Sequence, residues 1–174
     1  MITTNDESLA DRLQILRCHG GEPRYYHPAV GINSRLDSLQ APILLAKFPF
    51  LDGWTNLRIA NAAFYGEKLS GLPADRLKLP AQCIAGRHVF NQYTVRVANR
   101  DGVREKMSAA GVSTEIYYPL PLHLQECFAA LGYRPGHLPA SEEASAKVLS
   151  IPIDAELSGE EMERVADAVA QAVT

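Results

Sequence analysis

Apolar residues in the first half of the chain recur every three or four positions, which is the spacing of one helix face. This pattern predicts a helix capped by Asn5 or Asp6, a second helix over 36–48, and a third from about 52 to 69. The first helix presents an apolar stripe that no nearby strand-like run could cover, so we expect another part of a larger assembly to cover it. The stripe consists of Leu9, Leu13 and Leu16.

In the second half, apolar and polar residues alternate over 88–97 and 112–118, as they do in half-buried strands. A third strand is predicted at 148–153, and Ser158 with Glu161 predicts a capping box at the start of a final helix. The helices predicted around these strands cover 101–110, 124–131, 141–147 and 158–173. The fold class we predict is α+β: a small split βαβ sheet domain with helices on one face, preceded by a helical arm.

Composition argues against several classes of partner. The formal net charge is -3, with no run of five like charges, which gives no electrostatic footprint for nucleic acid or an anionic membrane surface. No stretch approaches the roughly 20 apolar residues needed to span a bilayer. The three cysteines lack CxxC spacing and the five histidines lack metal-ligand spacing, so we expect neither a disulfide framework nor a metal site. A cytoplasmic protein with small-molecule or protein partners is expected.

The strongest candidate for chemistry is the segment GINSRLDSLQA, Gly31 to Ala41. Asn33 offers amide donors and Arg35 a guanidinium, in a loop just ahead of the predicted helix, whose first N–H groups add partial positive charge. Such a loop suits a phosphate. The alternative is an ordinary helix cap, in which Asn33 satisfies the turn and Arg35 pairs with Asp37, and the residues alone leave both open.

A second candidate region is YYPLPLH, Tyr117 to His123. His123 follows two prolines beside a predicted strand, so its ring either projects into a cleft or caps the helix predicted from Leu124. Tyr118 and Tyr93 could stack on a base or a sugar, although tyrosine at strand positions is more often half-buried packing.

Several segments, taken in order, resemble one known family. The helix ending in RCHG, GINSRLD, KFPFLDGW, HVFNQYTVRV, YYPLPLH and VLSIPI together resemble the DegT/StrS-type pyridoxal-phosphate sugar aminotransferases over nearly the whole chain. The resemblance implies that Asn33 reaches across a homodimer interface to the cofactor phosphate. It also implies that Arg35 supports the interface or a substrate phosphate and that His123 lines the nucleotide-sugar pocket. The further candidates for substrate contact are Tyr93, Tyr118 and His27.

The same resemblance implies the C-terminal part of a fold-type-I transferase, divided into three regions. Residues 1–33 correspond to a remnant of the large cofactor-binding domain, 34–86 to a connecting helical arm, and 87–174 to the complete small domain. A homodimer, or a separate N-terminal large domain, is the expected protein partner.

Transamination through this cofactor needs a lysine that binds it covalently. Four of the five lysines lie on predicted helices, and Lys78 lies in a loop before Pro80, so we expect no catalytic residue in this chain. The intact enzyme is expected to transfer an amino group from glutamate to a keto sugar carried by a nucleotide, and the chain alone to be inactive. The alternatives are a non-enzymatic dimerisation or interaction domain, one half of a split enzyme, and a small-molecule-binding domain that uses the Asn33 loop.

Overall fold

The structure is a computed structural model that describes residues 2–21, 23, 25–82 and 85–174. The chain divides into two compact units, Met1–Pro49 and Phe50–Thr174. The first unit contains α1 (Glu7–Arg17) and α2 (Gln40–Lys47). The second contains α3 (Leu51–Leu69), β1 (Leu77–Lys78), β2 (Tyr93–Val97), α4 (Arg100–Ala109), α5 (Pro139–Lys147), β3 (Val148–Ile151) and α6 (Gly159–Val173). Short 3-10 turns span Phe48–Phe50, Leu122–Leu124 and Glu126–Leu131.

Helix α1 begins where its cap predicts. The Asp6 carboxylate accepts a hydrogen bond from the backbone N–H of Leu9 at 3.1 Å, which satisfies one of the free donors in the first turn. This hydrogen bond also lowers the pKa of Asp6, because it favours the charged carboxylate. The helix ends at Arg17, three residues before Gly20 and Gly21.

Helix α2 starts later than the predicted 36–48. The Asp37 side chain accepts from the backbone N–H of Leu39 at 2.7 Å, so residues 38–39 form a turn and the helix begins at Gln40. Pro42 is the third residue of this helix and does not break it, because N–H groups of the first turn have no helical acceptor anyway. Pro49 lies in the 3-10 turn between α2 and α3.

The sheet of the second unit has three antiparallel strands in the order β1-β2-β3. Tyr93 pairs with Ile151 and Val95 with Leu149, which places these four side chains on one face. All four are buried. They pack against residues of three helices, namely Tyr65 and Leu69 of α3, Val103 and Met107 of α4, and Val165 and Val169 of α6. A small sheet with helices packed on it confirms the predicted α+β class.

All three predicted strands are shorter in the structure, and the one predicted at 148–153 ends at Ile151. The segment 112–118 contributes only one bridge, in which Glu115 and Ser150 exchange backbone hydrogen bonds of 3.0 and 2.8 Å. The strand predicted over 88–97 begins at Tyr93, because the residues before it bond to α3 instead. Arg58 of α3 donates to the Val89 carbonyl at 3.2 Å.

The helix predicted over 124–131 is replaced by two 3-10 turns. Gln125, between them, has an extended backbone with ψ of 140°, so a continuous α-helix cannot pass through it. At the C-terminal helix, in contrast, the predicted capping box is confirmed. Ser158 accepts from the Glu161 backbone N–H at 3.2 Å, and the Glu161 carboxylate accepts from that of Ser158 at 2.8 Å.

Candidate functional site

The Asn33 loop is held against the C-terminal end of α1 by backbone hydrogen bonds. Ile32 donates to the Leu16 carbonyl at 2.8 Å and Ser34 donates to the Arg17 carbonyl at 3.0 Å. Asn33 itself forms a β-bridge with Cys18. The last carbonyls of a helix have no partner within the helix, and here the loop supplies the donors. The position of Asn33 is therefore set by main-chain contacts rather than by side-chain packing.

Two glycines allow this close approach. A Cβ on Gly31 would lie 2.1 Å from the backbone nitrogen of Gly20 and 2.5 Å from the Leu16 carbonyl oxygen, far inside contact distance. Gly20 has φ of +70°, a conformation that glycine adopts without the penalty other residues incur. Both glycines are required because two backbone segments of the chain lie in direct contact at this point.

The side chains of Asn33 and Arg35 are exposed and contact each other. The Arg35 Nε donates to the Asn33 Oδ1 at 3.2 Å, which leaves the Asn33 amide hydrogens and the Arg35 Nη groups without partners among the described residues. The Arg35–Asp37 pairing of the alternative interpretation does not form there, because Asp37 accepts from Leu39 instead. Since α2 begins at Gln40, the positive charge of this loop comes from the guanidinium.

His27 lies in the same unit, outside the hydrogen bonds that hold Asn33. Its Nδ1 is 3.1 Å from the His19 carbonyl oxygen, so the ring is oriented by the turn that follows α1. The side chain is exposed. The structure thus places Asn33, Arg35 and His27 in one compact unit, and their predicted roles toward a ligand stay predictions.

The other three predicted site residues belong to the second unit. Tyr93 is 2% exposed and packs its ring against Tyr65 at 5.4 Å between centroids, so it forms part of the hydrophobic core. Burial raises the pKa of the Tyr93 hydroxyl. Tyr118 is 70% exposed, and its ring makes an edge contact with Tyr117 at 5.8 Å. Of the two tyrosines, Tyr118 is the one whose ring is open to a ligand.

His123 is buried, with 5% of its side chain exposed. Its Nε2 lies 3.0 Å from Oε1 of Glu142, and its ring lies edge-on to Tyr133 at 6.0 Å. The residue belongs to the 3-10 turn Leu122–Leu124, and its side chain pairs with α5 instead of capping a following helix. A direct contact of this ring with substrate stays a prediction.

Glu142 is the residue of this region that sequence analysis missed. Its carboxylate accepts a hydrogen bond from the His123 ring. It also accepts hydrogen bonds from the backbone N–H of Gly136, at 2.8–2.9 Å, and from that of Leu138, at 3.2 Å. The Gly136 hydrogen bond is the main cause that lowers the pKa of Glu142, and the His123 pairing lowers it further. An acidic residue in the first turn after a proline was the available signal, because such residues reach back to free N–H groups.

Across the described ranges, no three His, Cys, Asp or Glu side chains are placed so that they could hold a metal ion. In the same part of the chain, no helix is both long and apolar enough to cross a membrane.

The chain belongs to the DegT/DnrJ/EryC1/StrS aminotransferase family, whose model matches residues 1–170. It is 44% identical over 98% of its length to the pleiotropic regulatory protein of Geobacillus stearothermophilus, of which it covers 46%. It is 39% identical over 97% of its length to the UDP-N-acetyl-3-dehydro-alpha-D-glucosamine 3-aminotransferase of Acidithiobacillus ferrooxidans, of which it covers 44%. The chain therefore spans a little under half the length of these curated relatives.

Solved structures agree with this assignment. The DesV enzyme of Streptomyces venezuelae, in complex with a ketimine intermediate, superposes with a TM-score of 0.89 at 38% identity, over 98% of this chain and 46% of that one. A DegT/DnrJ/EryC1/StrS aminotransferase from Brucella abortus gives a TM-score of 0.83 at 36% identity, over 95% and 44% of the two chains. The predicted family and the predicted relation to these transferases are confirmed.

Proposed function

We propose that this chain is the C-terminal part of a pyridoxal-phosphate-dependent nucleotide-sugar aminotransferase that transfers an amino group from glutamate to a keto sugar. In this proposal, 1–33 belong to the large domain, 34–86 to a connecting arm and 87–174 to the small domain. The observation that supports it most directly is the exposed Asn33 amide in a chain of this family, held with its hydrogens unpaired among the described residues. Relatives named as UDP- and dTDP-sugar transaminases support the substrate class.

The donors of the Asn33 loop fit a phosphate group. The amide contributes its two hydrogens and the Arg35 Nη groups contribute charged donors, which form shorter and stronger bonds to phosphate oxygens than neutral donors do. When bound, pyridoxal phosphate supplies the electron-accepting ring through which amino groups are exchanged. The role of this chain is then to hold and orient the phosphate, across a homodimer interface if the intact enzyme follows the family.

The lysines of this chain do not suit covalent attachment of the cofactor. A nucleophilic lysine needs a lowered pKa, usually from burial or neighbouring cations. The Glu163 hydrogen bond instead raises the pKa of Lys68. Lys147 pairs with Glu143 at 2.8 Å and Lys106 donates to the Ala172 carbonyl at 3.1 Å. Lys47 and Lys78, the remaining two, are exposed. We therefore propose that the chain alone has no transaminase activity.

The phosphate role is tested by titrating the chain with pyridoxamine phosphate in a calorimeter, since this form of the cofactor cannot bind a lysine covalently. Asn33→Ala should weaken binding roughly tenfold, because one charge-assisted hydrogen bond contributes about 1.5–3 kcal/mol. Ser34→Ala, the exposed neighbour, is the matched control and should bind as the unchanged chain does. Equal affinity in the Asn33 variant would contradict the proposal. Inactivity is tested with pyridoxal phosphate and borohydride, where a stable adduct on one lysine would contradict it.

A protein partner is supported by the apolar surface of the first unit. Among its described residues, Gly20 alone is buried, so the unit has no buried apolar core there. An apolar surface of this extent is typical of an interface. Its most exposed large apolar residues are Ile2, Tyr25, Tyr26, Val30, Ile32, Leu36, Leu39, Leu45 and Phe48. We propose that a second copy of the chain, or an N-terminal large domain, covers this surface.

The same surface supports a second candidate function, a non-enzymatic dimerisation domain or half of a split enzyme. Sedimentation velocity separates it from a monomeric ligand-binding domain. Leu45→Glu, on a residue 72% exposed in α2, should shift the chain from dimer to monomer. Gln40→Glu adds the same charge to the same helix and should leave the dimer intact. A monomer in the unchanged chain at high concentration would contradict self-association.

A further inference from the structure

One carboxylate on α5 holds together a long irregular segment of the second unit. Glu142 accepts hydrogen bonds from the His123 ring, from the N–H of Gly136 on both of its oxygens, and from the N–H of Leu138. These four residues are called the Glu142 cluster below. Glu142 reaches back to the N–H groups ahead of α5, and its bond to His123, 19 positions away, also closes the segment on itself.

The same helix also fixes the start of the segment. Ser145 donates its hydroxyl to the Tyr118 carbonyl oxygen at 2.9 Å. Ser145 lies three positions after Glu142, on the same side of a helix whose period is 3.6 residues. Ser145 of helix α5 therefore holds the start of the segment at Tyr118. Glu142 of the same helix holds the segment at His123 and again at its end, at Gly136 and Leu138.

We propose that Glu142 is the positioning residue of the segment 118–138: its carboxylate, with His123 as a donor, fixes the segment against α5 and so sets where Tyr118 lies. The consequence for a substrate contact by Tyr118 rests on the function proposed above, whereas the fixing of the segment does not. His123, in this proposal, serves the site through Glu142 and not as a ligand of the substrate.

The cluster requires a carboxylate. Gly136 has φ of +89° and turns its N–H toward both Glu142 oxygens, so each oxygen already receives a backbone donor. Glutamine in place of Glu142 would turn an NH2 group against one of these donors, and no acceptor would remain for it. The shape would be preserved, and at least the hydrogen bond from Gly136 to the replaced oxygen would be lost.

The test is amide hydrogen exchange, followed by NMR on the full 174-residue chain at neutral pH. Glu142→Gln should lower the protection of the Gly136 amide about tenfold or more, the scale of a lost charge-assisted bond, and that of the Leu138 amide by less, because Leu138 donates to one oxygen only. The matched control is Glu143→Gln, the next residue on α5, which is exposed and pairs only with Lys147 among the described residues. It should leave both amides unchanged. Protection that is equal in Glu142→Gln and in the unchanged chain would overturn the proposal.

A second measurement needs no substitution and so keeps the proposal testable if Glu142→Gln does not fold. Because hydrogen bonding lowers the pKa of folded Glu142 below 4.5, the cluster is complete above that pH and is lost as pH falls through the lowered value. Four titratable groups surround the cluster carboxylate. They are the His123 ring, Tyr133, which lies edge-on to that ring, His137, which lies edge-on to Tyr133, and Glu143 on the same helix. Protection at Gly136 and Leu138 should fall in acid before protection of the β2–β3 amides does. Simultaneous loss would overturn the proposal.

Substrate binding separates this proposal from the proposed function. UDP-N-acetylglucosamine is added to the chain while the ring resonances of Tyr118 are observed. If Glu142→Gln weakens the response several-fold and also loses protection, both proposals are supported. If protection is lost but the unchanged chain shows no response to the nucleotide sugar, the positioning role of Glu142 in the segment stands, and the placement of Tyr118 at a substrate site is what fails.

Discussion

Tyr65→Phe should stabilise the protein. The Tyr65 side chain is 0% exposed, and its hydroxyl has no hydrogen-bond partner in the described part of the chain. Leaving a buried hydroxyl unpaired costs about 1–3 kcal/mol. Phenylalanine removes this cost and keeps the ring contacts with Phe64 and Tyr93, at 5.8 and 5.4 Å between centroids. The void left by the oxygen offsets a few tenths of a kcal/mol of this gain, so we expect a net increase in unfolding free energy of about 1 kcal/mol.

The assay is urea unfolding followed by the fluorescence of Trp54, the single tryptophan, which lies in α3 with Tyr65. A gain of about 1 kcal/mol should raise the midpoint without changing the slope, and should raise Tm by roughly 2–6 °C. Tyr118→Phe is the control, since its hydroxyl belongs to an exposed side chain, and should change stability by less than about 0.5 kcal/mol. A loss of stability in Tyr65→Phe would refute the reasoning, because it would show that the hydroxyl has a partner.

Three further outcomes follow from the contacts described above. Burial raises the pKa of Tyr65 from 10.0 to about 12, so stability should fall as pH rises from 10 toward 12, and the phenylalanine variant should fall less; parallel curves would contradict this. Arg76→Ala removes two hydrogen bonds, of 2.6 and 3.3 Å, to carbonyls at the end of α6. In urea unfolding, this variant should lower the unfolding free energy by about 1 kcal/mol. Arg104→Ala, on the exposed side of α4, is the control and should leave the unfolding free energy unchanged. Gly31→Ala should abolish exchange protection between the Asn33 loop and α1, whereas Gly53→Ala, with nothing within 4 Å of its added Cβ, should not; protection retained in Gly31→Ala would contradict the backbone contact.

Local signals predicted the starts of the first and last helices and the central strand of this fold. Asp6 and Ser158 cap their helices because a capping bond involves residues only three positions apart, so the sequence contains the whole interaction. Residues 93–97 form a strand because their alternation matches a sheet with one face buried. In the segment before Tyr93, where the prediction was wrong, the competing contact came from elsewhere in the chain. Residues before Tyr93 read as strand, but Arg58 of α3 bonds to their backbone, and no alternation pattern contains that information.

The candidate site divides in the same way. The exposure of Asn33 and Arg35 in one loop was predictable, because the two residues and the loop are contiguous in sequence, and their binding roles stay predictions. The burial of His123 was not, since it depends on Glu142, which lies 19 positions away on a different element. From sequence spacing alone, a histidine after two prolines is expected either to project into a cleft or to cap the following helix. The structure provides a third outcome, a buried pairing with a carboxylate.

The meeting of Gly20 and Gly31 has a consequence for how the loop can vary. The backbone hydrogen bonds that hold Asn33 in place all join residues outside the stretch between Gly20 and Gly31. This stretch is therefore a loop whose two ends are already fixed. Lengthening a loop whose ends are already joined costs little, about 0.6 kcal/mol for each doubling of its length. Residues could therefore be added or exchanged between the two glycines without moving the backbone of Asn33.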